Sequence, residues 1–260
     1  MKRYRCARFF LDCIRNSPNP RIIEEYVAGR YGGVDIEDKR ERYLSFRPPS
    51  LRIITQYHEL LQEIEDSYVY GLFYPTLTSS CCLGERIFNI LILRLRDYYK
   101  RSRHYKRIYR KESFDDWERS VGILSDWKVI NSTDVKREYK KLARIRRDVI
   151  HFNTLEDIQG KALDALKAVH DITAYFFAIG QREDIYFWCS GEVYVKKAAQ
   201  RNPFVGEMIL PHCVLVGYRH KIESANDRPI ARDDNSYEQR EISDDQFIRL
   251  RESFGRSPTR

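Results

Sequence analysis

Nothing in this 260-residue chain reads as a membrane span, a redox pair or a familiar hydrolase signature. A helix crossing a bilayer needs about 18 or more apolar residues in a row. The nearest approach, residues 87–95, is ended early by Arg94 and Arg96. Residues 1–10 are basic and lack the apolar run of a secretion signal. Six cysteines, at 6, 13, 81, 82, 189 and 213, include no CxxC pair, and adjacent Cys81 and Cys82 read as small core residues on a helix. The expectation is a reduced, cytoplasmic protein with no membrane partner. There is no glycine-rich phosphate loop, no GxSxG and no HExxH, so nucleotide hydrolysis and serine or zinc hydrolysis lack support. His212, Cys213, Cys189 and His220 fit no zinc-knuckle spacing and read as filling for a small sheet; no metal or other cofactor is expected. No internal repeat is visible.

What is present is charge, and one kind of it above all. Hydrophobic residues make up 42% of the chain, sufficient for a packed core, while the charged fraction of 32% implies a heavily solvated exterior. The net charge of +8 comes with 32 arginines against 14 lysines. Arginine grips phosphate through a planar fork, so this bias suits a nucleic-acid partner better than a generic basic surface.

The periodicity predicts a mainly α-helical protein in three parts. Residues 1–48 form an irregular N-terminal extension, with a short apolar helix over 6–14, a break at Ser17 to Pro20, an apolar stretch over 22–31 and a charged one over 35–42. Pro48-Pro49 is a natural boundary, and Ser50 is placed to cap a helix running to about Glu65. Residues 49–181 then read as a bundle of about four to five helices with short connections. Leu83, Ile87, Ile90, Leu91, Leu93 and Leu95 form one apolar face, continuing into a basic end of the same helix. Ser113 with Asp116 opens a segment carrying Phe114, Trp117, Val121, Leu124 and Trp127. Thr133 caps the next, with Val135, Tyr139, Leu142 and Ile145, and Thr154 with Asp157 opens the longest, which runs to Gly180. Residues 182–260 change period: 185–188, 192–195 and 208–218 favour strands, predicting a small β-rich appendage. A polar tail follows from about Glu223, with a short helix after Ser243 where Gln246 completes a capping box.

The chemistry-bearing segment is 142–152, LARIRRDVIHF, which sets Arg146 five positions before His151. A guanidinium can hold a phosphate and an imidazole can move protons near neutral pH, the two groups needed to cut RNA without a metal. Spacing alone carries little, because 32 arginines among 260 residues produce such pairs by chance, and Arg52 with His58 is another. Context carries more: the run 136–147 holds Lys136, Arg137, Lys140, Lys141, Arg144, Arg146 and Arg147 against the single acid Glu138. In a straight helix, residues five apart sit about 140° around the axis, whereas i,i+4 and i,i+7 neighbours are within about 40°. His151 would then share a face with Arg147 and Arg144, and Arg146 would meet it only if the helix ends before His151 or a second copy supplies the partner. The other reading is an interior histidine at a helix end beside a solvated arginine face.

These residues resemble the HEPN superfamily (higher eukaryotes and prokaryotes nucleotide-binding domain). Its hallmark is an arginine, a polar residue, three more residues and a histidine between the last long helices of a small bundle, here Arg146, Arg147, Asp148, Val149, Ile150 and His151. The helix with Gly84-Glu85-Arg86 before an apolar run is similar to an early helix of that bundle, so the resemblance covers about residues 51–180. It implies a metal-independent endoribonuclease, often a toxin or antiviral effector, whose two protomers join paired motifs into one composite site. A homodimer, RNA and an inhibitory antitoxin or defence-system partner are the partners it implies. Asn153 stands where the toxin branch often has tyrosine, and Arg147 where asparagine is common. On that resemblance His151 is the general acid/base and Arg146 the electrostatic stabiliser, with Arg144, Arg147, Lys140 and Lys141 along the RNA.

A second basic stretch, 98–111 (YYKRSRHYKRIYRK), interleaves tyrosines with cations such as Arg103 and Arg107, a pattern that stacks unpaired bases and holds phosphates. An exposed extension whose tyrosines pack on the bundle fits the same letters. Glu85 is placed either to orient an arginine of the site or to make an ordinary surface ion pair; His104 and His170 read as a basic-patch and a helix-surface residue. Two rivals to a ribonuclease remain: a non-catalytic RNA- or nucleotide-binding module of the same shape, and a DNA-binding regulator using the arginine-rich helix in a groove.

Overall fold

Apolar residues recurring every three to four positions become ten α-helices among the described residues of the computed structural model, which are 19–46, 55–150, 156–189, 192–212, 220–225, 228–233 and 242–254. The chain divides into two units between Phe177 and Ala178. The protein is mainly α-helical, with a small β component confined to the C-terminal region.

The first unit comprises α1 (Pro20–Tyr31), α2 (Ile36–Ser45), α3 (Thr55–Val69), α4 (Phe73–Leu95), the short α5 (Tyr105–Ile108), α6 (Trp117–Asp126), α7 (Thr133–Ile150) and α8 (Ile158–Phe177). Helix α4 is central, packing against α3, α6, α7 and α8. Its Leu77, Ile87, Phe88, Leu91, Ile92 and Leu95 are fully buried, each burial being worth about 1.5–3 kcal/mol of transfer free energy. Residues Phe73–Tyr99 are long and apolar enough by composition to cross a membrane, against the sequence expectation; 56% of their most apolar window is buried inside the bundle. Of the two adjacent cysteines, Cys81 is buried and Cys82 is exposed, so only one is a core residue.

The stretch expected as an irregular extension is, over 19–46, a helical pair fastened to α3. Tyr31 donates its hydroxyl to Asp66 Oδ1 at 2.8 Å, Arg30 Nη2 reaches both oxygens of the same carboxylate, and Arg42 Nη1 donates to the Val69 carbonyl at 3.2 Å. The charged run around Asp35 is helical over α2, where Tyr43 is buried against Tyr26 and Phe46 while its neighbour Leu44 is exposed.

Helix starts follow capping chemistry, at one to three residues from the expected places. Asp116 Oδ1 accepts from Arg119 N at 2.9 Å and Asp157 Oδ1 from Gly160 N at 3.1 Å, so each of these aspartates is itself the cap. For α7 the cap is Ser132, whose Oγ accepts from Val135 N at 3.4 Å, and not Thr133. Helix α4 does not run on into the basic segment: it ends at Leu95 and becomes a 3-10 turn, Arg96–Tyr99. Arg96 Nη1 donates to the carbonyls of Ile108 (3.2 Å) and Lys111 (2.6 Å), folding 98–111 back on itself.

The second unit holds a hairpin of β1 (Tyr186–Cys189) and β2 (Glu192–Val195), then α9 (Pro203–Met208), a second hairpin of β3 (His220–Ala225) and β4 (Arg228–Asp233), and α10 (Asp244–Phe254). Both hairpins are antiparallel, with Trp188 opposite Val193 in the first and Ile222 opposite Ala231 in the second. The expected strand from Met208 is instead helical through His212, because Asn202 accepts from Phe204 N at 3.0 Å and Pro203 occupies the first helical position. The tail beyond Glu223, expected to be polar and without structure except for a helix after Ser243, contains that helix as α10 and also β4. The capping box at the start of α10 is formed: Ser243 N donates to Gln246 Oε1 at 2.9 Å and Gln246 N to Ser243 Oγ at 3.2 Å. The expected helix over 6–14, Ser17 and Pro18 of the expected break, the Pro48-Pro49 boundary with Ser50, the Arg52 of the chance pair, Asn153 with Thr154, and residues 213–218 lie outside the described residues.

Candidate functional site

The basic helix α7 buries Val135, Tyr139, Leu142, Ile145 and Val149 against the bundle, a repeat of three to four residues that leaves the opposite side to solvent. Its seven cations then separate into two groups. Arg137 pairs with Asp134 (3.0 Å) and Glu138 (3.5 Å), Lys141 with Asp164 of α8 (2.8 Å), and Arg146 with Glu85 of α4 (3.4 Å). Lys136, Lys140, Arg144 and Arg147 make no ion pair among the described residues. At 100° per residue these four fall within about 80° of arc, one stripe along the solvent side. Of the expected RNA-binding residues, Lys140, Arg144 and Arg147 therefore lie together, whereas Lys141 is turned aside to Asp164. Lys136 belongs to the stripe and was not singled out from sequence, although its i,i+4 spacing to Lys140 was the available signal.

At 100° per residue Arg146 falls on the bundle side of α7, between Val135 and Tyr139 and about 80° from the edge of the stripe, and its side chain emerges beside α4. Its side chain is 37% exposed and Glu85 is 29% exposed. Glu85 Oε2 also accepts from Trp117 Nε1 at 3.1 Å, which fixes the carboxylate. Trp117 is held in turn by its edge-on contact with Phe88, 5.2 Å between centroids, and by the start of α6. There Asn89 Nδ2 donates to the Phe114 carbonyl at 2.8 Å, and Phe114 N donates back to Asn89 Oδ1 at 2.6 Å. One turn before Glu85, Cys81 Sγ lies 3.8 Å from the Leu142 carbonyl, and burial pushes its thiol up to about 12. The sequence marked Glu85 as a partner for some arginine; Trp117 as its second partner was read only as core.

A half-exposed ion pair of this length contributes under about 1 kcal/mol. Glu85 thus aims Arg146 without holding it so firmly that a phosphate could not take its place. His151 lies outside the described residues, which reach Ile150 in α7 and resume at residue 156, so the juxtaposition of Arg146 with His151 is not described.

The second basic segment is rearranged relative to its sequence reading. Arg103 donates from Nε at 3.1 Å and from Nη2 at 2.6 Å to one oxygen of Asp126, Oδ2, and His104 Nε2 stands 2.7 Å from the same oxygen. Those two contacts, His104 first, hold the Asp126 carboxyl below its ordinary range. Tyr105 donates to Asp97 at 3.0 Å and stacks on Tyr109. Arg107 is exposed. His170, expected on a helix surface, is buried, with Nε2 3.0 Å from Glu65 Oε1. Among the described residues no three His, Cys, Asp or Glu side chains converge as a metal site. Cys189 is buried on β1 with Sγ 3.7 Å from the Ile248 carbonyl.

No family model, curated protein or solved structure matches the chain.

Proposed function

We propose that this chain is a metal-independent endoribonuclease of HEPN type, a toxin or antiviral effector acting as a homodimer. The observation that carries the reading is the sorting of charge on α7: four cations in one stripe with no ion pair among the described residues, and, next to Arg147 in sequence but turned toward α4, an arginine that Glu85 and Trp117 aim but do not lock. RNA laid along the stripe neutralises its cations and releases counterions. Arg146 holds the scissile phosphate and stabilises charge developing on its non-bridging oxygens. His151 takes the 2′-hydroxyl proton as the 2′-oxygen attacks phosphorus, and the bond to the 5′-oxygen breaks with a proton delivered to that leaving oxygen. The products are a 2′,3′-cyclic phosphate and a 5′-hydroxyl. Because the nucleophile belongs to the RNA, no metal-bound water is needed.

The deciding experiment incubates purified chain with RNA in chelator, wild type beside Arg146→Ala and His151→Ala. The expected result is cleavage reduced more than about 100-fold in each variant, and abolished by one 2′-deoxy substitution at the cut site. Cleavage that survives the 2′-deoxy substitution refutes the mechanism. The Glu85–Arg146 pair also favours a second reading, a non-catalytic RNA- or nucleotide-binding module, since it partly satisfies the guanidinium within the chain. RNA binding with no metal-free cleavage would select that reading.

A further inference from the structure

An open depression of about 660 Å³ lies where the end of α4 turns toward the end of α6, lined by residues 98–104 with Asp126 and Trp127. Its floor is fixed. Tyr99 stacks flat on Trp127, 4.5 Å between centroids and 4° between planes. The polar atoms of that pair are used internally: Tyr99 donates to the Trp127 carbonyl at 3.1 Å, and Trp127 Nε1 to Ser102 Oγ at 3.2 Å. The one acid of the lining, Asp126, is already engaged by Arg103 and His104 and does not oppose an incoming anion. The rim is more exposed. Tyr98 is 57% exposed, and Lys100 and Arg101 are exposed with no ion pair among the described residues.

We infer that this depression is a binding site for an unpaired nucleotide of single-stranded RNA, its base stacked on Tyr98 and its phosphates held by Lys100 and Arg101. An aromatic face beside two uncommitted cations is the chemistry that holds a single strand without reading its sequence. The open walls leave room for the strand to enter and leave, which a closed pocket for a free nucleotide would not. The sequence pattern included Tyr98, Lys100 and Arg101 but singled out Arg103 and Arg107; Arg103 is committed to Asp126 and Arg107 does not line the depression, which leaves the role to Tyr98, Lys100 and Arg101. This rests on the reading of the chain as an RNA-binding ribonuclease, but it concerns a site other than Arg146 and His151.

The test measures binding of fluorescein-labelled octa-adenylate by anisotropy across a salt series, in the His151→Ala background so that the probe stays intact. Tyr98→Ala should weaken binding about tenfold, the scale of one lost base–aromatic stack. Lys100→Ala with Arg101→Ala should lower the slope of log affinity against log salt by about 1.4, the loss of two phosphate contacts on a single strand. Circular dichroism of each variant reports that it is folded. Unchanged affinity and slope in folded variants overturn the inference, as does equal affinity for free adenosine monophosphate or for an RNA duplex of the same length. The two readings fail separately: cleavage by wild type with no effect of the rim variants removes this site alone, and a rim effect without any cleavage removes the ribonuclease alone.

Discussion

The close approach of α4 to its neighbours at Gly84 gives a sharp test of the bundle, because one substitution has opposite effects at two helical glycines. A Cβ at Gly84 would stand 2.9 Å from Leu142 Cδ1 and 3.3 Å from Trp117 Cη2. Leu142 has no exposed surface and Trp117 has 6%, so neither can swing into solvent to make room. At Gly122, in α6, a Cβ would meet nothing within 4 Å. Replacing an interior helical glycine by alanine favours the helix by about 1 kcal/mol at either position. Compressing a packed core costs about 1–3 kcal/mol, and only Gly84 incurs that cost. Gly122→Ala should therefore stabilise the chain by up to about 1 kcal/mol, while Gly84→Ala destabilises it by about 1. The gap of about 2 kcal/mol corresponds to about 4–8 °C in Tm for a domain of this size. Urea and thermal unfolding of the two variants measure it directly, and the propensity gain cancels in their difference. If Gly84→Ala raises Tm as far as Gly122→Ala does, the three helices do not meet as described. The approach that seats Glu85 beside Arg146 would fall with it.

The buried Cys81 thiol, held protonated up to about pH 12, should resist alkylation at pH 8 in the folded chain. In a Cys82→Ser background, modification of Cys81 mapped by mass spectrometry should appear only with unfolding, and rapid native labelling would contradict the α4–α7 packing. Asp116→Ala should cost about 1 kcal/mol in urea titration as a lost cap, whereas Ser113→Ala should stay within about 0.5 kcal/mol of wild type; the reverse order would put the start of α6 at Ser113. Glu65→Leu removes the carboxylate 3.0 Å from the buried His170 Nε2, a close ion contact without hydrogen-bond geometry, and should lower stability by about 0.5–3 kcal/mol. An unchanged urea midpoint would show that the pair carries no weight.

Much of the fold was legible in the letters, for reasons visible in particular residues. The α7 pattern of Val135, Tyr139, Leu142 and Ile145 could be read because a helix with one buried side writes its own period into the chain. The Ser243–Gln246 capping box was legible because both partners lie within one turn. Misreadings occurred where neighbours compete locally: Asp116 and Asp157 each cap a helix themselves, where a preceding Ser or Thr was expected to do so. The end of α4 was missed because Arg96 finds its carbonyl partners after the chain has reversed. Those partners do not exist in a window of local sequence.

The sequence by itself determined that the chain is mainly helical, where its long helices run, and that it carries an arginine-rich excess of positive charge. These are properties of composition and of short-range period. Which cations are available to a ligand was decided only by tertiary structure. Asp164 withdraws Lys141, Asp126 withdraws Arg103 and Glu85 tethers Arg146, and each carboxylate comes from another part of the chain. Among the described residues no carboxylate pairs with Lys136, Lys140, Arg144 and Arg147 on α7, or with Lys100 and Arg101 on the rim beyond α4. The physical reason is that Coulomb attraction acts through space, so the charge a surface offers is fixed only once the fold has chosen which acids stand beside which bases.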